Sequence, residues 1–169
     1  AAGVAYTAGP LPLGYYGLGD LAVFVFFGLV GTVGTYYVQA LAITSLAVAS
    51  AVPVGALITA ILVVNNLRDA DTDRAAGKRT LAVLLGRRGA RLEYLVLLLV
   101  AYAAPVALLF AYQQRLWVLL PLVTLPVAIR LLHAVFRTLG PALNRTLAGT
   151  AQLALLYSLA FAVGLVLGR

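Results

Sequence analysis

The residues most able to do chemistry crowd into one stretch, NNLRDADTDRAAGKR, from Asn65 to Arg79. It holds three of the chain's five acids, and Glu93 follows shortly after. On a continuing helix each residue turns about 100°, so Asn65, Asp69 and Asp73 fall within about 80° of one another, and the Cα atoms of Asp69 and Asp73 stand about 6 Å apart. Asn66 is expected to flank that face. Asp71 lies about 200° round from Asp69 and points elsewhere. Two carboxylates so spaced can hold a hard cation through single oxygens while leaving positions for water and phosphate, the usual way Mg²⁺ is bound. The amides of Asn65 and Asn66 can add a neutral oxygen or donate to phosphate, and Arg68, Arg74, Lys78 and Arg79 can pair with phosphate oxygens. Acids and bases together point to a metal-bridged anion, with Gly77 ending the helix behind them.

The elements that must carry these groups are membrane helices. The chain is 63% hydrophobic and 10% charged, with a mean hydropathy of +1.03, well outside the range of soluble domains. It has no Cys and one His, so disulfides and thiolate or histidine-rich metal centres are excluded and any metal must be oxygen-ligated. The 47 residues from Leu21 to Leu67 carry no charge, which suits two spans of about 20 residues with a break near Gln39 to Ser45. Three more spans are expected over about 93–112, 116–136 and 146–168. Alternation at period two is missing, so these are helices and not barrel strands. Pro53, Pro105, Pro121 and Pro126 fall inside them and predict kinks, which bundles tolerate when neighbours satisfy the freed carbonyls. Gly28, Gly31 and Gly34 are expected to support close helix contact.

Of 12 Lys and Arg, ten lie in or beside two connections: Arg68, Arg74, Lys78, Arg79, Arg87, Arg88 and Arg91 in the first, and Arg130, Arg137 and Arg145 in the second. Only Arg115 and Arg169 belong to the other side. The bias predicts that the 68–91 loop is cytoplasmic. Because the basic residues flank apolar runs, a nucleic-acid partner is not expected. The chain starts with Ala and has no Met, and no signal peptide is evident; it is expected to be a piece of a longer protein.

NNLRDADTDRAAGKRTLAVLLG resembles the second aspartate-rich motif, DxxxD, of the UbiA superfamily of membrane prenyltransferases, in the form found in its 1,4-dihydroxy-2-naphthoate branch. YTAGPLPLGYYGLGDLAVFVFFGLVGTVGTYYVQ also resembles that branch, through GLGD, FFG and TYYVQ. The resemblance covers essentially the whole chain and is looser after about residue 92. It implies an all-α bundle of nine transmembrane helices, with the last five here: 1–20 the end of a preceding helix and a loop, 21–67 two spans, 68–91 a cytoplasmic cap loop, and 92–169 three spans. It also implies a first aspartate-rich motif in a preceding N-terminal half, since no such string occurs here, and hence no turnover from the isolated chain. The YxxxK motif of many relatives is not matched, because Pro10 stands four residues after Tyr6.

The reaction so implied is transfer of a polyprenyl group from its diphosphate to 1,4-dihydroxy-2-naphthoate with loss of CO₂, giving demethylmenaquinone in the inner (plasma) membrane. Asp69 and Asp73 would hold Mg²⁺, Asn65, Asn66, Arg68, Lys78 and Arg79 would bind the diphosphate, and Tyr6, Tyr15 or Tyr16 are candidates to face the allylic cation. The rival readings are another acceptor such as 4-hydroxybenzoate, or a transporter, whose sites usually lie near the bilayer midplane and not at a helix end. A loop binding anionic lipid accounts for the basic residues but not for two Asn followed by three spaced acids. The longer motif of a CDP-alcohol phosphotransferase is not matched. Among isolated residues, His133 is expected at the interface, Arg130 to snorkel, Trp117 to anchor, and Asp20 to cap the first span.

Overall fold

The computed structural model describes residues 16–168, which contain helices and no strand. Tyr6 and Tyr15 lie outside the described residues. Among the described residues five helices are long and apolar enough to cross a membrane: α1 Gly19–Ala40, α2 Ser45–Ala75, α4 Gly86–Ala111, α5 Leu116–Arg137 and α6 Gly140–Leu167. A short helix, α3 Leu81–Leu84, precedes α4. The break between α1 and α2 falls inside the expected stretch. Leu41 turns left-handed (φ 51°), and the Thr44 hydroxyl caps α2 by accepting from Ala47 N–H at 3.1 Å. The α4 helix starts seven residues earlier than hydropathy indicates, because Arg87, Arg88 and Arg91 continue the helix below its apolar part.

At the centre, α2 packs on α1, α3, α4 and α6, while α5 closes the ring against α4 and α6. More than half of the apolar window of α2 is buried (56%), against 11% for α1. The buried face of α2 mixes Leu57, Val63, Val64 and Leu67 with Ala51, Gly55, Ala56 and Ala60, small groups that let neighbouring backbones come close. Large apolar side chains also face outward: Phe27 is 66% exposed, Phe110 75% and Val123 73%. Only a lipid surround makes that distribution favourable, and the chain is a multi-pass membrane protein on that ground.

Two of the prolines, Pro105 and Pro126, are accommodated by identifiable partners. Pro105 has no N–H for the carbonyl of Ala101, one turn earlier. The hydroxyl of buried Tyr157, on α6, donates to that carbonyl at 2.5 Å. Tyr157→Phe is therefore expected to cost about 1–3 kcal/mol by leaving a buried acceptor unpaired, seen as a lower denaturation midpoint in detergent; an unchanged midpoint would show that the carbonyl is otherwise satisfied. In α5, Leu116–Thr124 is a 3₁₀ stretch containing Pro121. Its tighter turn lets Leu125 N–H reach the Leu122 carbonyl, which Pro126 would otherwise leave unpaired.

The three glycines of α1 behave differently from one another. Gly28, in a π-helical turn over Phe24–Val30, lies directly against Gly55 of α2, whereas a Cβ added at Gly34 would meet no atom within 4 Å beyond its local helix backbone and one at Gly31 would meet only its own helix. The spacing of glycines overstated the contact, because only one of them faces α2.

Candidate functional site

The starts of α1, α4 and α6 and the ends of α2 and α5 gather at one end of the bundle, joined there by Asn66 to Asp20, Arg68 to Asn144 and Arg91 to Val135. Arg91 donates to the last carbonyls of α5, at Val135 (3.0 Å) and Thr138, a cation placed at a helix C-terminus where it is favoured.

Past its apolar part, α2 continues for two turns because nothing breaks it before Gly77. Gly77 adopts φ +75°, and the chain closes with Lys78 N–H on the Asp73 carbonyl (2.9 Å) and Gly77 N–H on the Arg74 carbonyl (3.2 Å). These are the two bonds of a Schellman cap. The reversal brings the Lys78 ammonium back to within 3.1 Å of the Asp73 carboxylate. A local backbone motif thus sets one acid–base pair of the site.

The second pair is Asp69 with Arg68. Arg68 donates to both carboxylate oxygens, Nε to Oδ1 at 2.7 Å and Nη2 to Oδ2 at 2.5 Å. Its Nη2 also reaches the Asn65 side-chain oxygen (2.8 Å), and its Nη1 reaches that of Asn144 on α6 (2.9 Å). Asp69 is 34% exposed and Asp73 11%, so the first acid is open to a ligand and the second is sheltered. Asp71 faces away, paired with Arg87 at 2.6 Å on the surface. Arg79 is exposed and lies outside the Arg68 and Lys78 pairings.

Asn65 and Asn66 diverge. Asn65 joins the Arg68–Asp69 group, while the buried Asn66 amide turns to α1 and donates to Asp20 at 3.4 Å. The 100° step between adjacent helical residues separates them. Asp20 does not cap α1 through its side chain: the N-cap position is Leu18, with no side-chain bond. Asp20 is 4% exposed and receives Asn66 instead. Tyr16 is exposed, and so is His133, which borders a separate groove with Leu95 and Phe136.

From Asn65 and Asn144 a groove of about 480 Å³ runs down between α1, α2 and α6, walled by Phe27, Ile58, Leu62, Leu147 and Ala151. The seven residues from Asn65 back to Ile58, and from Asn144 on to Ala151, correspond to about 10 Å of depth. A charged head beside an apolar channel suits an amphiphile with an anionic end. As metal ligands, Asp69 and Asp73 supply hard oxygen donors of the right kind but form only a pair; among the described residues no three His, Cys, Asp or Glu side chains come together. The residues fit half of a divalent-cation site.

Fold and site together define a polytopic helical membrane protein with a carboxylate–guanidinium cluster where its central helix ends. The chain belongs to the UbiA prenyltransferase family, whose pattern matches residues 1–159. It is 40% identical over 172 residues to the 1,4-dihydroxy-2-naphthoate octaprenyltransferase of Haemophilus influenzae, covering 99% of this chain and 54% of that protein. It is 48% identical over 125 residues to the protein of the same name from Mycobacterium tuberculosis, covering 74% of this chain and 42% of the relative. The UbiA prenyltransferase domain-containing protein 1 of Homo sapiens is 34% identical over 162 residues, which is 96% of this chain and 46% of the human protein. The chain spans about half the length of the curated relatives it matches.

Proposed function

We propose that this chain carries the second aspartate-rich half of an enzyme that transfers a polyprenyl group from polyprenyl diphosphate to 1,4-dihydroxy-2-naphthoate, giving demethylmenaquinone for menaquinone synthesis. The observation that carries the reading is the pairing of Asp69 with Arg68 and of Asp73 with Lys78 at the end of α2, with Arg68 tied to Asn65 and Asn144, which line an apolar groove. The bacterial relatives named for that reaction supply the acceptor.

The allylic C–O bond of the donor breaks with its electron pair leaving on diphosphate. The ring carbon that bears the carboxylate forms the new C–C bond, and CO₂ departs, returning its electron pair to the ring. Asp69 and Asp73 would hold a divalent cation, Mg²⁺ by the hardness of the donors, with the remaining ligands supplied by a first aspartate-rich motif elsewhere in the complete protein. That cation, when bound, neutralises charge growing on the departing diphosphate. Arg68 and Lys78, which pair with these acids, would supply N–H donors to the phosphate oxygens. The groove between α1, α2 and α6 receives the isoprenoid tail and keeps water from the allylic carbon. The basic end of the bundle, with the 68–91 loop, faces the cytoplasm across the plasma membrane, following the positive-inside bias. The isolated chain, with half the ligands, does not turn over.

The test is transfer of a labelled polyprenyl group by the complete protein in membranes, offered the naphthoate or 4-hydroxybenzoate, with Mg²⁺ or with EDTA. The expected result is label in the naphthoate product only and loss of product with EDTA, restored by adding Mg²⁺ back. Label in 4-hydroxybenzoate would change the acceptor. A folded protein that labels no phenol would overturn the enzyme reading in favour of transport.

A further inference from the structure

We infer that Asn144, the first residue of the α-helical part of α6, is a positioning residue for the diphosphate site and acts through Arg68. The inference rests on the diphosphate reading given above. Arg68 is held along two edges. One edge, Nε and Nη2, lies on the two oxygens of Asp69, and the other is held by neutral amide oxygens: Asn65 on Nη2 at 2.8 Å and Asn144 on Nη1 at 2.9 Å. These two holds have different fates once Asp69 becomes a metal ligand. The ionic edge is the one that would weaken, since a cation on Asp69 would draw charge from the oxygens that accept from Nε and Nη2. The amide edge carries no charge to be claimed by metal and stays. A guanidinium loosened on one side and tethered through Nη1 and Nη2 on the other keeps its Nε–Nη2 edge in place for phosphate oxygens, instead of swinging into solvent on a flexible stem.

Asn65 alone is a poor tether, because it sits on the same helix as Arg68, one turn away. Asn144 comes from α6 and fixes the guanidinium against a second wall. Its own position is firm: Leu143 beside it is fully buried, and the 3₁₀ turn Gly140–Leu143 starts at Gly140, whose φ of +58° sets the entry into the helix. Asn144 also borders the groove, so the tether stands where the anionic head meets the apolar channel. A neutral acceptor is the fitting choice. An acid there would compete with Asp69 for Arg68 and repel the diphosphate.

The experiment is a double-mutant cycle in the complete, membrane-embedded protein, reading kcat and the KM for polyprenyl diphosphate and for the aromatic acceptor separately. Asn144→Leu, similar in size but without the acceptor, is expected to raise the diphosphate KM about 10-fold, with kcat and the acceptor KM changed by less than about two-fold. On an Arg68→Gln background the same substitution is expected to add less than about two-fold, since its target is gone. Asn144→Gln keeps the amide and is expected to recover part of the loss. It is also carried through the cycle, which keeps the test decisive if the leucine variant does not accumulate. Full-strength loss on the Arg68→Gln background overturns the role of Asn144, as does a fall in kcat together with membrane abundance for both variants. An Arg68→Gln protein with unchanged diphosphate KM overturns the diphosphate reading itself, a distinct result.

Discussion

Alanine at Asp69 or at Asp73 is expected to lower prenyl transfer by about a hundred- to a thousand-fold, the usual consequence of removing one fixed electrostatic contact to a developing charge. Both acids stand in the last turns of α2, which alanine continues without strain, so membrane abundance should hold while turnover falls. The two losses differ in kind. Asp69→Ala leaves Arg68 bound only to the amides of Asn65 and Asn144, while Asp73→Ala frees the Lys78 ammonium from its 3.1 Å partner. Both variants then have more cationic charge facing the diphosphate but no means of holding the metal. The diphosphate KM should therefore change less than kcat. Asp71→Ala is the control. Its 2.6 Å pair with Arg87 is exposed, worth little in water, and the variant should keep its rate within about two-fold. Asp69→Ala activity within about three-fold of the parent would remove that residue from the metal site.

Filling the contact between Gly28 and Gly55 is the second large effect expected. Gly28 meets the Gly55 backbone, and a Cβ on Gly55 would stand 3.1 Å from Gly28 Cα and 3.2 Å from the Phe24 ring. Backbone cannot yield as a flexible side chain does, so Gly28→Val must push α1 off α2, with a cost of about 1–3 kcal/mol or more. The displacement also reaches the site, because α1 carries Asp20, the partner of Asn66, and Phe27, a wall of the groove. Thermal inactivation in detergent should come earlier and transfer should drop with it. Gly34→Ala, whose added Cβ would meet no atom within 4 Å beyond its local helix backbone, should be neutral or slightly stabilising through helix propensity. Equal behaviour of the two variants would mean that α1 does not dock on α2 through Gly28.

Helices, spans and the break before Ser45 were legible because apolar length and punctuation are local properties. Asp71 was legible as an outlier for the same reason: 200° of helical rotation is set by the helix alone. Asn66 and Asp20 were not. Their faces follow from rotation too, but which neighbour fills the space beside them depends on where α1 comes to rest. The glycine triplet of α1 shows the same limit, since spacing says that contact is possible and only the docked partner says which glycine makes it.

From its sequence alone this chain is an all-helical membrane protein with acids and bases assembled at one helix end, because hydropathy and helical period act over a few residues. The Schellman closure that returns Lys78 to Asp73 is likewise encoded locally, in the glycine after DRAA. Tertiary structure decided the rest. It gave Asn66 to Asp20, gave Tyr157 to the carbonyl orphaned by Pro105, and brought Asn144 across 76 positions to Arg68. Each of these is a hydrogen bond or pairing between distant segments, and in a lipid surround a polar group must find its partner on whatever helix the packing places beside it.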